Sequence, residues 1–461
     1  MLQVILTGDK KMPIIKINTT LILGFFILLI SQQSHSAFFV VDRFEDAPDS
    51  GINGTCAGVN MVGDVCSLRA AIMEANASVG ADTILVPQGS EFVLNVLGEN
   101  EDNAASGDLD IYGEITIING IDGFVINGNG TDRIFHVHDG GKLTLENGTL
   151  KNGAANTALT FEGGAVKVED NGIFITDDVK FVDNLANRGG AVFNDGDVLL
   201  ENSYLHHNAI TDENTPINLT ARGDAILNRH VMWLLSTTVA HNGTLFTNSG
   251  NAPLLNGTYA IHANPNGNAA PQPTTLIYNS TVAQNKYSGI YSDQGITVID
   301  KSTIANHPGR GLRFFRDPDH AGEVQLQIKY SLFANNIASN CNDLQFLPAN
   351  EVDIIGNFNA STDGNCGFSG MDNLENIDNP LNGSLADWGG FTPTLMILPD
   401  SPIVDFVNAN CGSEDQRGGV RPLDGSNGGL LLCDVGSVEL DRTTDPLVND
   451  VIFANGFEAM F

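Results

Sequence analysis

The chain has 461 residues, 42% of them apolar and only 17% charged, enough apolar material for a buried core, which excludes global disorder. Its formal charge is −33, from 22 basic and 55 acidic residues, and such a surface repels a phosphate backbone, so nucleic acid is excluded as a partner. The 50 glycines follow no strict period, which excludes a collagen-like chain and points to many turns.

At the N-terminus, Lys10, Lys11 and Lys16 precede an apolar run from Leu21 to Ile30 and a polar stretch, Ser31–Ser36. Ser34 and Ser36 are small residues placed for cleavage before Ala37, so residues 1–36 read as a secretory signal peptide, too short to span a membrane. The segment from Met12 onward is already a complete signal, which leaves Met1 and Met12 both as candidate starts. No later segment is apolar enough to span, so the mature chain is expected to lack a transmembrane helix. The cysteines fall into local pairs, Cys56 with Cys66, Cys341 with Cys366 and Cys411 with Cys433. In an oxidising compartment that pattern argues for disulfides; about 15 connectivities exist, and nearest-neighbour pairing is expected. A metal role for these thiols is disfavoured, because no C-x-x-C occurs and no histidine stands at ligand spacing.

Residues 37–100 read as an N-terminal cap. Within it, 66–77 form a helix, with Ser67 as N-cap and Leu68, Ala71, Ile72 and Ala75 on one apolar face. The runs Ile84–Val86 and Phe92–Val96 look like the first strands. A solenoid has open edges at its ends, and this helix, pinned by a Cys56–Cys66 bridge, would close one of them.

Residues 101–355 carry a repeat. An apolar residue, two variable ones and an Asn recur at Phe181–Asn184, Leu205–Asn208, Val239–Asn242, Val282–Asn285 and Phe333–Asn336, with a shifted copy at Ile304–His307. A Ser or Thr usually precedes the apolar residue. The gaps run from 22 to 43 residues, the shortest matching one coil of a β-solenoid and the longer ones the same coil with insertions. Gly-Gly-Ala-Val at Gly163–Val166 and Gly189–Val192 is a second repeat, degraded at Gly223–Ile226. Alternating runs at Lys142–Leu145, Ala165–Val168, Asp197–Leu200 and Gly295–Ile299 would point alternate side chains inward, and stacked coils would merge them into one core. Asn at a fixed turn tolerates left-handed geometry and can bond from coil to coil, and Gly-Gly-Ala supplies a corner without bulk. The fold class is therefore all-β: a right-handed parallel β-helix with a short N-terminal capping helix. Insertions fall at 209–220, 243–257, 265–274 and 314–322, and loops on a regular scaffold are where function is expected.

Several phrases resemble a known group of secreted bacterial β-helix proteins. Cys66-Ser-Leu-Arg-Ala-Ala-Ile-Met-Glu-Ala-Asn-Ala77 is similar to the CSLREA motif, departing at Ala70, where a Glu would complete a capping box with Ser67. The Gly-Gly-Ala-Val and Phe-x-x-Asn phrases resemble the repeats of polymorphic outer membrane proteins. Residues 356–440 read as the C-terminal end region of the helix. There Trp388–Leu395, Leu398–Ile403, Asp415–Gly418 and Cys433–Gly436 resemble the choice-of-anchor Q proteins, with departures at Phe406 and Ser437-Val438. The likeness spans about residues 38–440. It implies the fold and a surface location, and no single activity. The tail, 441–461, ends in Ile452-Phe-Ala-Asn-Gly-Phe-Glu458 and resembles short tails of secreted bacterial proteins, which implies sorting or anchoring.

Catalytic candidates are few. No Gly-His-Gly occurs, and Asp177-Asp178 sits in an expected turn, which weighs against a polygalacturonase-like site. A lyase needs a base and a cation to neutralise a uronate carboxylate. Arg310, Arg313 and Arg316 are the best candidates, with Asp317, Asp319 and His320 beside them as cation donors; the alternative is a solvated basic loop. No cofactor is required, with Ca2+ an optional ligand, and metal ligands are not assigned. Arg222-Gly223-Asp224 spells an integrin-type tripeptide but lies where Gly-Gly-Ala recurs, and His206, His207 and His241 read as turn residues. The leading expectation is a monomeric secreted or bacterial cell-surface protein, with outer-membrane association as an option, that contacts a glycan or a cell surface without catalysis. The alternatives are an extracellular polysaccharide lyase or glycoside hydrolase acting on acidic glycans, and a structural spacer.

Overall fold

The computed structural model describes residues 36–59, 65–99, 101–157, 161–211, 223–243, 258–265, 272–315, 324–342, 344, 356–368, 370 and 372–445. These form a right-handed parallel β-helix with a single α-helix, as the repeat predicts. Each full coil passes through three strands. The first sheet stacks strands such as Ala81–Leu85, Asp197–Glu201 and Val324–Lys329. The second stacks shorter ones such as Tyr204–His206, Thr238–Ala240 and Leu332–Ala334, and the third runs from Leu109–Ile111 to Ser339–Asn342. All four alternating runs fall on strands, Ala165 alone standing just before its own, and the inner register stacks like on like: Ile84 on Ile117, Leu200 on Leu234, Ile277 on Ile299. That stacking turns amphipathic strands, none able to bury its face alone, into one continuous core.

The corners explain the composition. Between the first and second sheets the chain bends at residues of positive φ such as Asn202, Ser236 and Asn279; Asp178 bends there too, inside the strand Ile173–Val182. At the next corner the repeated Asn turns inward. Asn184 Nδ2 donates to Asn208 Oδ1 at 2.9 Å, Asn208 to Asn242 at 3.0 Å, and Asn242 to Asn285 at 3.0 Å. His307 then occupies the place of an Asn. It receives the Asn285 amide on Nε2 at 3.1 Å and meets Asn336 Oδ1 through Nδ1 at 2.7 Å. The Ser or Thr of the repeat makes a second ladder: the backbone N–H of Ser203 donates to Thr237 Oγ1, that of Thr237 to Ser280 Oγ, and that of Ser280 to Ser302 Oγ. The Gly-Gly-Ala corner is needed because a Cβ on Gly190 would stand 2.1 Å from the Asp224 carbonyl oxygen of the following coil.

The cap forms as expected, with one addition. The helix spans Leu68–Ala77, Ser67 caps it by accepting from Ala70 N–H at 3.1 Å, and Leu68, Ala71, Ile72 and Ala75 are buried. The first strand, however, is Phe38–Val40, which pairs with Thr83–Leu85 and so precedes the runs expected to start the sheet. Arg69, fully buried, pairs with Asp46 at 2.5 Å and donates to the carbonyls of Ala104, Gly107 and Asp108. The cap thereby fixes the loop that leads into the third sheet. The cysteines pair with their nearest neighbours, Cys56–Cys66, Cys341–Cys366 and Cys411–Cys433. Such bonds persist in oxidising compartments.

The C-terminal residues run back along the outer face of the second sheet. Thr238 Oγ1 donates to the Pro393 carbonyl, Thr281 Oγ1 to Gln416 Oε1, and Ser437 N–H to Thr303 Oγ1. Ala283, Ala305 and Ala334 pack there against Val407, Val435 and Val438 in a second apolar cluster. No helix among the described residues is long and apolar enough to cross a membrane.

Candidate functional site on the outer face of the third sheet

The second sheet is covered from Thr238 onward, so the third sheet offers the longest outward row whose chemistry changes from coil to coil. Its central position reads, in stacked order, Asp110, His136, Lys167, Phe193, Leu227, His262, Tyr291, Arg313 and Asn342. Phe193 and Leu227 are buried apart from the main core, with the Arg229 guanidinium 4.8 Å from the Phe193 ring. They divide the row into two polar ends, roughly 30 Å apart at about 4.8 Å per strand.

At the C-terminal end, Arg310 and Arg313 lie in the strand Arg310–Phe315. The solvated basic loop is thus corrected for these two: pairing with the neighbouring strands holds them. Arg313 sets its guanidinium 4.8 Å from the Tyr291 ring centroid and 5.7 Å from that of Phe315. Across Tyr291 the His262 ring stacks at 4.6 Å, and Tyr259 lies 5.0 Å away. The result is an imidazole–phenol–guanidinium stack on three successive coils, held by ring quadrupoles and cation–π attraction. Arg316, Asp317, Asp319 and His320 lie outside the described residues, as do most of the four expected insertions.

At the N-terminal end, three neighbouring strands present polar pairs with period two: Asp110 and Tyr112, His136 and His138, Lys167 and Glu169. Alternation in a strand places both members of each pair on one face. His138 Nε2 meets Asp110 Oδ1 at 2.7 Å and His136 Nε2 meets Glu169 Oε1 at 2.9 Å. The two imidazole centroids are 3.7 Å apart, and the half-exposed Tyr112 ring stacks on His138 at 4.1 Å. Asp110 is fully buried, and its Oδ2 accepts from Ala104 N–H at 2.7 Å, within the loop that Arg69 organises. Beneath them Arg133 pairs with Asp108 at 2.5 Å. Burial pulls the His136 imidazole down to about 4 against the Glu169 bond. Burial acts the same way on His138, but the hydrogen bonds to Asp110 and Glu169 outweigh it and raise that ring to about 9. Those imidazole bonds hold Glu169 far below the usual carboxylate range.

This cluster is not among the candidates that the sequence motifs single out. Its signal is His136-Val-His138, two ligand-type residues spaced to share one face of a strand, which lies away from the turns that carry the repeat. The other singled-out residues behave as structure. Asp224 is wholly buried, so the Arg222–Asp224 tripeptide is no surface epitope, and Arg222 itself lies outside the described residues. His207 and His241 sit at turn positions of positive φ, stacked on each other at 5.8 Å.

No protein-family model matches the chain, and no curated protein matches it in sequence. Two solved structures are similar to it. One is a rhamnogalacturonan lyase, 12% identical with a TM-score of 0.40, covering 77% of this chain and 92% of that one. The other is the pectate lyase Pel9A, 11% identical with a TM-score of 0.40, covering 89% of this chain and 98% of that one. Likeness at this level assigns no activity to this chain.

Proposed function

We propose that the protein is exported and binds a glycan along the outer face of the third sheet, as a cell-surface or secreted contact protein. The half-buried Tyr291 ring and Arg313 guanidinium, stacked in line with the buried His262, carry this reading. An aromatic face with a guanidinium beside it matches a sugar ring bearing a carboxylate or sulfate, because the ring covers apolar C–H surface and the guanidinium forks onto an anion. The chain as a whole is strongly acidic and repels a polyanion at long range, so contact is favoured where salt shortens that repulsion to ~8 Å. Affinity electrophoresis against neutral, uronate-containing and sulfated polysaccharides tests the reading. Retardation by an acidic glycan is expected, weakened about tenfold by Tyr291→Ala or Arg313→Ala, a loss of ~1.4 kcal/mol. Retardation by no polysaccharide, or binding that both variants leave untouched, would sink it.

The His136–His138 cluster favours one second reading, eliminative cleavage of a uronate glycan. Such a cluster supplies donors for a cation that neutralises the substrate carboxylate. The chemistry would then sit at the Asp110–Glu169 end, since Arg313 is too distant to act on the same sugar. Unsaturated products from a uronate panel would support it, and their absence with and without added divalent cation would remove it.

A further inference from the structure

We propose that Asp102, Asp110, His136 and His138 form a site for one first-row transition-metal dication of the zinc class, independent of any glycan. One donor atom from each of the four lies within 4.8 Å of the other three. A tetrahedral ion with bonds of ~2.0–2.1 Å holds its donors ~3.3 Å apart, so the site must contract by at most ~1.5 Å. The exposed member, Asp102, is the one able to move. The remaining three are held in place. His136 and His138 share one face of a strand, Asp110 lies on the adjacent strand in register with His136, and Tyr112 backs the His138 ring.

Donor chemistry sets the metal class. Two imidazole nitrogens and two carboxylate oxygens suit zinc or cobalt, whereas calcium takes six to eight oxygens at longer distance. Glu169, bonded to His136 at 2.9 Å, then has the role of a carboxylate that orients a ligating imidazole. Lys167 lies 3.3 Å from Glu169 and Arg133 is engaged by Asp108, so both cations have carboxylate partners outside the four donors. Arg69 acts at one remove: its bonds to the Ala104, Gly107 and Asp108 carbonyls shape the loop that carries Asp102.

The test uses untagged full-length protein stripped of metal and titrated with Zn2+ alone, and with Co2+ for its visible spectrum. One equivalent is expected, with the intense bands of four-coordinate Co2+, a raised thermal midpoint and no displacement by millimolar Ca2+. The double variant His136→Gln, His138→Gln should abolish it. Because that change touches buried rings, Asp102→Asn serves as a second probe at an exposed position and should lower affinity measurably with the fold intact. Glu169→Gln should weaken binding ~10–100-fold. Replacing His206, His207 and His241 together by Gln should change nothing. Absence of stoichiometric binding overturns the proposal, as does equal competition by Ca2+, or binding that survives the double variant but falls with the His206–His241 set. Glycan retardation is read separately, so the two readings fail independently.

Discussion

The inner corner ladder and the outer row of the third sheet follow the same coils in the same register, yet they are built oppositely. Along the ladder one chemistry repeats, Asn after Asn, interrupted only by His307, whose ring makes the same two bonds. Along the outer row no two successive coils present the same group: a carboxylate, imidazole, ammonium, phenyl, isobutyl, imidazole, phenol and guanidinium succeed one another. Repetition is what stacking requires, since each coil must satisfy its neighbour. A row free to vary is under a different demand, and contact with something outside the chain meets it.

The largest effect should come from breaking the ladder. Asn242 is fully buried; its Oδ1 accepts from Asn208, and its Nδ2 donates to Asn285 and to the Leu205 carbonyl. Asn242→Leu keeps the number of side-chain heavy atoms but adds bulk and strands several partners, each costing ~1–3 kcal/mol, so a loss of at least ~3 kcal/mol is expected. Urea denaturation followed by circular dichroism measures it. A midpoint unchanged from the parent would show that the ladder is decoration, and the contrast with the outer row would collapse.

His307 gives the second, smaller effect and a pH signature. Its Nε2 accepts from Asn285 and its Nδ1 donates to Asn336, so only the neutral ring fits, and burial pulls it down to about 4. The unfolded value is ~6.5, so as pH falls the unfolded chain takes up the proton first. The stabilisation is complete above ~6.5 and disappears as pH drops towards 4, with ~2 kcal/mol already lost at pH 5. His136 and His206, also pulled down to about 4 by burial, give both proteins the same background. His307→Asn restores the amide of the other coils and should flatten the slope between pH 7 and pH 5 by that amount. Equal slopes would mean that His307 is not a neutral rung.

These rungs were legible in the sequence because they repeat. The spacings of 24, 34, 43, 22 and 29 residues between successive rungs from Asn184 to Asn336 are the separations of the bonded pairs, and even the shifted copy at His307 falls in line. The cap helix, the disulfide pairs and the strand positions were legible for related reasons: local capping, local pairing and alternation. The outer row was not. Asp110, His136 and Glu169 lie 26 and 33 residues apart and meet only because three strands pair in register. The return of the C-terminal residues over Thr238, Thr281 and Thr303 was equally hidden, since those bonds join residues more than 130 positions apart.

The smallest stability effect should come from the outer row itself, and there a small number is the informative one. Arg313 is half-buried, its guanidinium lying over Tyr291 and Phe315, and a cation–π contact of this exposure is worth ~0.5–1 kcal/mol. Arg313→Ala should shift the urea midpoint less than Asn242→Leu does, while glycan retardation falls about tenfold. The ladder variant should do the reverse at concentrations of urea where it is still folded, losing stability and keeping its ligand. If Arg313→Ala instead destabilised the chain as much as Asn242→Leu, the His262–Tyr291–Arg313 stack would be a rung like the others, facing outward. Separation of the two readouts is what distinguishes a binding row from a second structural ladder.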